Sequence, residues 1–365
     1  MRILYLHIND GTNMTRWQSY HIFDEMQRHD CSIIVFDIYK YRNIEEANNK
    51  LLKYIKQYKV DLFMTAVNEE ILFLETLEKI KMYGVPTLLI CFDNLLIPFF
   101  HENIANKFDA VWLTSKETEY IFKAWGCNTI FQPYAANPQF LVPDYDIEKE
   151  RIVFVGTPHG SRIDRINSLI DARIPLTVHT DIINFSKNII SAPLNSYVES
   201  FIDGIRYPIG RRLLIASVID KLTKRDLHIE SKYLLMEKSI SFEDMAKINC
   251  NYALVLSFTD AKSTGIFSNP IPIVNLRHFE IAMSGGLQFT TYSDELADYF
   301  EEDKEIILCK SNEEYIEKAK FYLCYNMKNQ RMKMKLAARK RAENDHTWFN
   351  RFSKVFKFIG LNKIT

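Results

Sequence analysis

Apolar residues recur along the first third of the chain in two alternating rhythms. Short unbroken runs from Ile3 to Ile8, Ser32 to Phe36, Val60 to Thr65 and Pro86 to Cys91 predict strands buried on both faces. Between them, Trp17 to Arg28 and Leu72 to Met82 read as helices, and Ile44, Ala47, Leu51, Leu52 and Ile55 fall at helical spacing. Ala110 to Leu113 and Thr129 to Phe131 predict two further strands, with a helix from Lys116 to Trp125 between them. Strands that alternate with helices need crossover connections, so a largely parallel sheet with helices on both faces is expected.

The charged stretch from Pro143 to Arg151 interrupts this pattern and reads as a linker. Alternation then restarts. Ile152 to Val155, Leu176 to His179, Tyr252 to Leu256 and Leu287 to Thr290 predict strands, and Arg162 to Asp171, Phe242 to Ile248, His278 to Met283 and Glu313 to Tyr325 predict helices. Residues 182–232 show no readable rhythm, and the tail from Lys328 to Gly360 reads as helical and aromatic-rich. Three segments follow: an α/β domain over 1–145, a second over 151–340, and a closing helix over 341–365. Two parallel α/β units imply a cleft between them, where ligands bind beyond the carboxyl ends of the strands.

Length and charge agree with this picture. The 365 residues suit two domains. Lys and Arg number 46, as do Asp and Glu, and that balance argues against a dedicated nucleic-acid binder. The start of the chain has no signal-peptide pattern, and no apolar run is long enough to span a bilayer. Six scattered cysteines without a Cys-x-x-Cys read as free thiols of a reducing cytoplasm.

The candidate chemistry begins with absences. Neither the dinucleotide fingerprint nor the P-loop follows a predicted strand, and there is no nucleophile elbow or zinc-protease helix. Asp144-Tyr145-Asp146 has the spacing of a metal-binding Asp-x-Asp, but it lies in the charged linker and reads as solvated. The run Asn275 to Gly286 is richer. Arg277 can pair with phosphate, and Glu280, expected near the positive end of a helix, can accept two hydrogen bonds from a ribose diol. Ser284-Gly285-Gly286 ends that helix. The same spacing also fits an ordinary capped helix with an Arg277–Glu280 ion pair. Gly156 and Thr157 open a loop, with Gly160 and Arg162 following, whose backbone N–H groups suit a diphosphate; a plain strand-loop-helix turn fits equally. In the first half, Asp10 and Asp93 lie just beyond strands, where a general base or an acceptor ligand is expected, or simply a turn cap. The basic stretch Lys328, Arg331, Lys333, Lys335, Arg339, Lys340 and Arg341 reads as a solvated helix face or as a contact with an anionic membrane.

Three segments resemble the GT-B glycosyltransferases, and especially their spore-maturation-protein-like (CgeB-like) bacterial group. They are Val153-Phe154-Val155-Gly156-Thr157 with Arg162, Ser241 to Met245 leading into Leu254-Val255-Leu256, and Asn275 to Gly286. Gln132 to Pro138 and His346-Thr347-Trp348 with Arg351 are weaker echoes. The resemblance implies two Rossmann-like domains facing across a cleft, with the last helix crossing back to the first. It implies a nucleotide sugar held by Gly156, Thr157, Arg162, Asn275, Arg277, Glu280, Ser284, Gly285 and Gly286, with Glu280 on the ribose and no bound metal. Pro272 departs from many retaining relatives, which carry a Glu eight positions before the ribose Glu.

The expected activity is metal-independent transfer of a sugar from a UDP-, GDP- or dTDP-sugar to a glycan, lipid-linked or protein acceptor. Asp93 and Asp10 are the catalytic candidates, no cofactor is required, and the expected setting is the cytoplasm or the inner membrane face. A nucleotide-sugar epimerase or hydrolase, and a catalytically silent binding subunit, are the alternatives.

Overall fold

In the first sheet every central strand is apolar on both faces, which a parallel sheet covered by helices requires. The computed structural model describes residues 1–181, 194–223 and 225–361. In it the chain separates into two compact units, Met1–Asn137 with Thr347–Thr365, and Pro138–His346.

The first unit runs β1 (Arg2–His7), α1 (Asn13–Gln18), α2 (Asp24–Arg28), β2 (Ser32–Asp37), α3 (Ile44–Tyr58), β3 (Leu62–Thr65), α4 (Leu74–Met82), β4 (Thr87–Cys91), β5 (Ala110–Leu113), α5 (Glu119–Ala124) and β6 (Thr129–Phe131). The sheet order is β2-β1-β3-β4-β5-β6, with all pairs parallel. Helix α3 shows how local sequence sets an element. Asn43 accepts the Glu46 N–H at 2.8 Å as its cap, Ala47, Leu51 and Ile55 bury one face, and Lys59 ends it in a left-handed conformation. The single helix expected over Trp17 to Arg28 begins earlier and contains a π-helical turn, Ser19–Phe23, which turns His21, Ile22 and Phe23 inward.

The second unit runs β7 (Lys149–Val155), α6 (Ser161–Asp171), β8 (Leu176–Thr180), α7 (Leu194–Ile205), α8 (Pro208–Leu222), β9 (Leu234–Lys238), α9 (Met245–Cys250), β10 (Tyr252–Leu256), α10 (Leu276–Met283), β11 (Gln288–Thr291), α11 (Asp294–Tyr299), β12 (Ile307–Cys309), α12 (Asn312–Leu323) and α13 (Lys328–Asp345). Its order is β12-β11-β10-β7-β8-β9, again all parallel. Renumbered within the unit, this is the doubly wound order 3-2-1-4-5-6, so the strand order reverses between β7 and β10. Helix α14 (Trp348–Phe358) belongs to the first unit. The expected closing helix over 341–365 thus begins at Trp348, and residues 362–365 lie outside the described residues.

Two buried carboxylates organise these units. Strand β7 starts inside the stretch expected as a linker, because Glu148 is not solvated. Its side chain is 3% exposed and pairs with Arg331 and, at 2.8 Å, with Lys335, both wholly buried. Lys335 Nζ also donates to the carbonyls of Cys250 (2.9 Å) and Tyr252 (2.7 Å). Burial alone would raise the Glu148 carboxyl, but the two cations outweigh it and hold it below its ordinary range. In the first unit, Glu25 accepts the backbone N–H groups of Trp348 (3.1 Å) and Phe349 (3.0 Å), the free donors at the start of α14.

The basic stretch of α13 is therefore a solvated face only in part: Lys328, Lys333, Lys340 and Arg341 are exposed. Arg331 and Lys335 point inward, Arg339 donates to the carbonyls of Pro138, Leu141 and Met283, and Arg341 pairs with Glu305 and Asp345. Among the described residues, no helix is long and apolar enough to cross a membrane. Five cysteines are buried free thiols and Cys324 is exposed.

Glu148→Ala strands two buried cations and should lower unfolding free energy by about 3–5 kcal/mol, read from the urea midpoint. A shift as small as that of a surface pair would overturn the keystone role. Glu25 titrates differently. Burial pushes its carboxyl up to about 7, against the two N–H groups that favour the anion. Between the ordinary 4.5 and about 7 the folded chain holds a proton that the unfolded chain has lost. Stability should therefore fall by up to about 3 kcal/mol as pH rises through that window. Glu25→Gln, which mimics the neutral acid, should gain on the wild type between pH 5 and pH 8 in denaturant titrations. Parallel pH profiles would contradict this.

Candidate functional site

The two central strands of the second sheet, β7 and β10, end side by side, and their last residues open a pocket of about 250 Å³. Phe154, Val155 and Gly156 line it from β7, Leu256, Ser257 and Phe258 from β10, Arg162 from α6, and Asn275, Arg277 and His278 from the start of α10. It lies at the reversal of strand order, where doubly wound folds bind their ligands. Two helix N-termini, of α6 and α10, supply its walls.

The local sequence builds this wall. Asn275 caps α10 by accepting the Arg277 N–H at 3.1 Å, while its own N–H donates to His278 Nδ1 at 3.1 Å. That bond is shorter than the 3.3 Å from Nδ1 to the Asn275 carbonyl and favours the tautomer with the proton on Nε2. The ring is fully buried, and burial pushes its pKa down to about 4, so it is neutral. Its Nε2 finds no partner among the described residues. Arg162 is in the same position: Nε has no partner, and burial works against its charge, with Asp260 acting in the opposite sense. Its guanidinium lies 5.8 Å from the Phe258 ring centre. Two buried donors without acceptors among the described residues, beside a second guanidinium on Arg277, give the pocket a donor-rich, cationic wall.

The glycine loop meets the expectation in part. Gly156 has φ +144°, and Gly160, at φ +58°, starts α6 where a Cβ would come 2.8 Å from Ser263 Oγ. Thr157 is exposed on the loop and does not line the pocket.

Other expected site residues lie elsewhere. Glu280 is the fifth residue of α10, past the first turn where the helix dipole acts, so the positive end belongs to Asn275 and its neighbours. Its carboxylate is buried, 3.7 Å from Arg277 Nε, and does not line the pocket. Ser284, Gly285 and Gly286 are at the opposite end of α10 and close it by packing. Asn249 Nδ2 donates to Ser284 Oγ at 3.3 Å, a Cβ on Gly285 would come 2.2 Å from the Tyr145 hydroxyl, and one on Gly286 would come 3.0 Å from the Asn249 carbonyl. Their glycines are needed for close approach, which the helix-ending motif alone could not distinguish from ligand contact.

In the first unit the two aspartates differ sharply. Asp10 is exposed and caps its own loop, with Oδ1 accepting Thr12 N (2.9 Å), Thr12 Oγ1 (2.7 Å) and Thr15 Oγ1 (2.7 Å). These bonds, the Thr12 hydroxyl first, hold its carboxyl below the usual range and make it a weak base. Asp93 follows β4 at φ +55°, a conformation that costs energy for any residue but glycine. Burial raises its carboxyl, although the Tyr134 hydroxyl donates to it at 3.0 Å. Phe92, Tyr134, Trp17 and Trp348 pack around this position with ring centres 5.0–6.5 Å apart. Tyr134 and His278 are the site residues that sequence reasoning did not select. Only the Asn-x-x-His spacing hinted at the second.

Comparisons with known proteins agree with this geometry. Residues 211–357 match a family model described as glycosyl transferase-like. Among curated proteins none matches. An alpha-glucosyltransferase solved with UDP and a 13-mer DNA containing a HMU base is 10% identical, covers 99% of both chains and superposes with a TM-score of 0.57. The HepE protein of Anabaena in complex with UDP is 12% identical, over 99% of this chain and 100% of its own, with a TM-score of 0.53. A glycosyltransferase from Rickettsia africae is 11% identical over 100% and 99%, also at 0.53. At these identities the likeness is one of fold, and the fold is that of the GT-B glycosyltransferases: two Rossmann-like α/β units, each on a six-stranded parallel sheet.

Proposed function

We propose that the chain is a glycosyltransferase whose β7–β10 pocket holds the diphosphate of a nucleotide sugar. The observation that carries this reading is the pair of buried donors without acceptors, Arg162 Nε and His278 Nε2, beside Arg277 at a helix N-terminus. In sugar transfer the acceptor oxygen bonds to the anomeric carbon, the bond from that carbon to the diphosphate breaks, and negative charge develops on the departing diphosphate. Arg162, Arg277 and the ends of α6 and α10 stabilise that charge. The same cations take the place of a divalent ion, so metal independence belongs to the proposal. The match of residues 211–357 to a glycosyl transferase-like model, and UDP in solved relatives of the same fold, support it.

Glu280 enters through Arg277, which its carboxylate steadies; its contact with the ribose rests on the Asn275–Gly286 motif. That motif also supports the spore-maturation-protein-like (CgeB-like) assignment. Thr157 is assigned a backbone contact through the loop it shares with Gly156. For the base we choose Asp93 over Asp10, because its carboxyl is raised and its backbone strained, and Asp10 is occupied by its own loop. The acceptor is a hydroxyl of a glycan, a lipid-linked sugar or a protein.

Arg162→Ala should weaken binding of the preferred nucleoside diphosphate roughly ten- to hundredfold by calorimetry, the worth of a charge-assisted hydrogen bond. Unchanged affinity in a folded variant, or no binding across UDP, GDP and dTDP by the wild type, would sink the donor site. Asp93→Asn should leave that binding intact and slow transfer by about 10²–10⁴-fold. Wild-type rates should rise with pH through the raised Asp93 titration, and a variant that keeps that limb would remove Asp93 as the base.

A further inference from the structure

The loop that follows β10 carries a further group without a partner. Leu256, Ser257 and Phe258 line the pocket, and two residues on stands Asp260, only 5% exposed. Charges act on its carboxylate, but no described residue donates a hydrogen bond to it. Polar neighbours on the same loop are satisfied. Ser263 Oγ donates to Asp220 at 2.8 Å, Thr259 Oγ1 to the Thr291 carbonyl at 3.2 Å, and Thr264 Oγ1 to the Ala261 carbonyl at 2.7 Å. The backbone holds Asp260 firmly. Ala261 N–H donates to the Ile271 carbonyl (2.8 Å) and Ile273 N–H to the Thr259 carbonyl (2.6 Å), which bridges Asp260 to Pro272. Ser161 opens α6 with a buried hydroxyl that also lacks a partner among the described residues. Both oxygens converge on Gly265, where an added Cβ would collide with Ser161 Oγ and come 2.8 Å from Asp260 Oδ2. Only glycine fits beside both.

The surroundings select the ligand chemistry. Burial raises the Asp260 carboxyl, and the guanidiniums of Arg165 and Arg162 pull it the other way. Arg165 is itself held over the Tyr315 ring, 4.5 Å from its centre. Ser161 precedes Arg162 in the chain, and Asp260 follows Phe258 by two, so the pair adjoins the wall that faces the diphosphate. A carboxylate repels a diphosphate, so the part of the ligand it meets is neutral and carries donors. Carboxylates only accept, whereas a serine hydroxyl accepts or donates, and a hydroxyl group of the ligand complements both. On a nucleotide sugar, hydroxyls belong to the ribose and to the transferred sugar. Glu280 is assigned to the ribose, which leaves the sugar.

We propose that Asp260 and Ser161 bind hydroxyl groups of the transferred sugar and so set which donor is accepted; this rests on the β7–β10 pocket holding the diphosphate. Asp260 is then a specificity residue and not a base. Calorimetry separates the two parts of the ligand. The probes are UDP, GDP and dTDP, each against its own hexose: UDP-glucose, UDP-galactose, GDP-mannose and dTDP-glucose. Asp260→Asn should bind the preferred nucleoside diphosphate as the wild type does, and bind the matching nucleotide hexose about ten- to hundredfold more weakly. Ser161→Ala removes an oxygen that bonds to nothing in the fold, and should show the same split in smaller measure. Equal losses for diphosphate and hexose would make Asp260 a counter-ion of Arg162 and overturn the proposal. Unchanged hexose affinity in both variants would overturn it while leaving the diphosphate site standing, and so would a wild type that binds a diphosphate but no hexose. A wild type that binds none of the nucleoside diphosphates would remove the donor site itself, and the subsite with it.

Discussion

Three charges with almost no solvent, Glu148 between Arg331 and Lys335, hold the second unit together at the head of its sheet. Desolvating them is costly, and only mutual pairing and the carbonyls of Cys250 and Tyr252 offset that cost. The geometry this imposes is specific. Glu148 immediately precedes β7, and Cys250 and Tyr252 flank the entry to β10. The triad therefore fixes where the two central strands begin. Their parallel register then fixes where they end, with Val255 opposite Val153 and Leu256 opposite Phe154. The pocket lies just past those ends, so an ion triad at one edge of the sheet sets the site at the other.

The site inverts the logic of the triad. At Glu148 every buried charge meets its opposite. At Arg162 and His278 the buried donors Nε and Nε2 have no acceptor among the described residues, and burial lowers the pKa of both groups. These two donors share one pocket with the Arg277 guanidinium, which sets them apart from the other buried polar atoms that lack a partner among the described residues. Neutral His278 is suited to this, since its Nδ1 is spent on the Asn275 cap and only its Nε2–H remains to be offered. The helix cap and the ligand donor are thus one ring.

Much of this was legible because parallel sheets write themselves as apolar runs separated by helical spacing. The described strands of the first unit and β7, β8, β10 and β11 of the second are readable that way, the short outer strands β9 and β12 are not, and Gly156, Arg162, Asn275 and Arg277 converge on one pocket. What failed did so for physical reasons. Glu148 falls in a stretch that reads as a linker because a local charge run cannot reveal cations nearly two hundred residues away. Arg331 and Lys335 read as part of a basic surface for the same cause. Ser284, Gly285 and Gly286 look like a ligand loop, yet their small size serves Tyr145 and Asn249. Helix α8 gives no amphipathic signal because apolar residues lie on its exposed side as well as its buried one.

The two aspartates of the first unit show why position alone does not name a base. Both follow strands of one parallel sheet, and sequence placed them on equal terms. Their surroundings then push their acidities apart, the condition under which chemically identical groups take different roles. Asp10 accepts three hydrogen bonds within its own loop, so its anionic form is already stabilised where it stands. Asp93 has one donor, Tyr134, and a backbone held at φ +55° by the turn whose Leu96 and Ile97 N–H groups bond to its carbonyl. Its partner Tyr134 packs in one aromatic cluster with Trp17, Phe92 and Trp348. Such a carboxylate gains more from accepting a proton than Asp10 does.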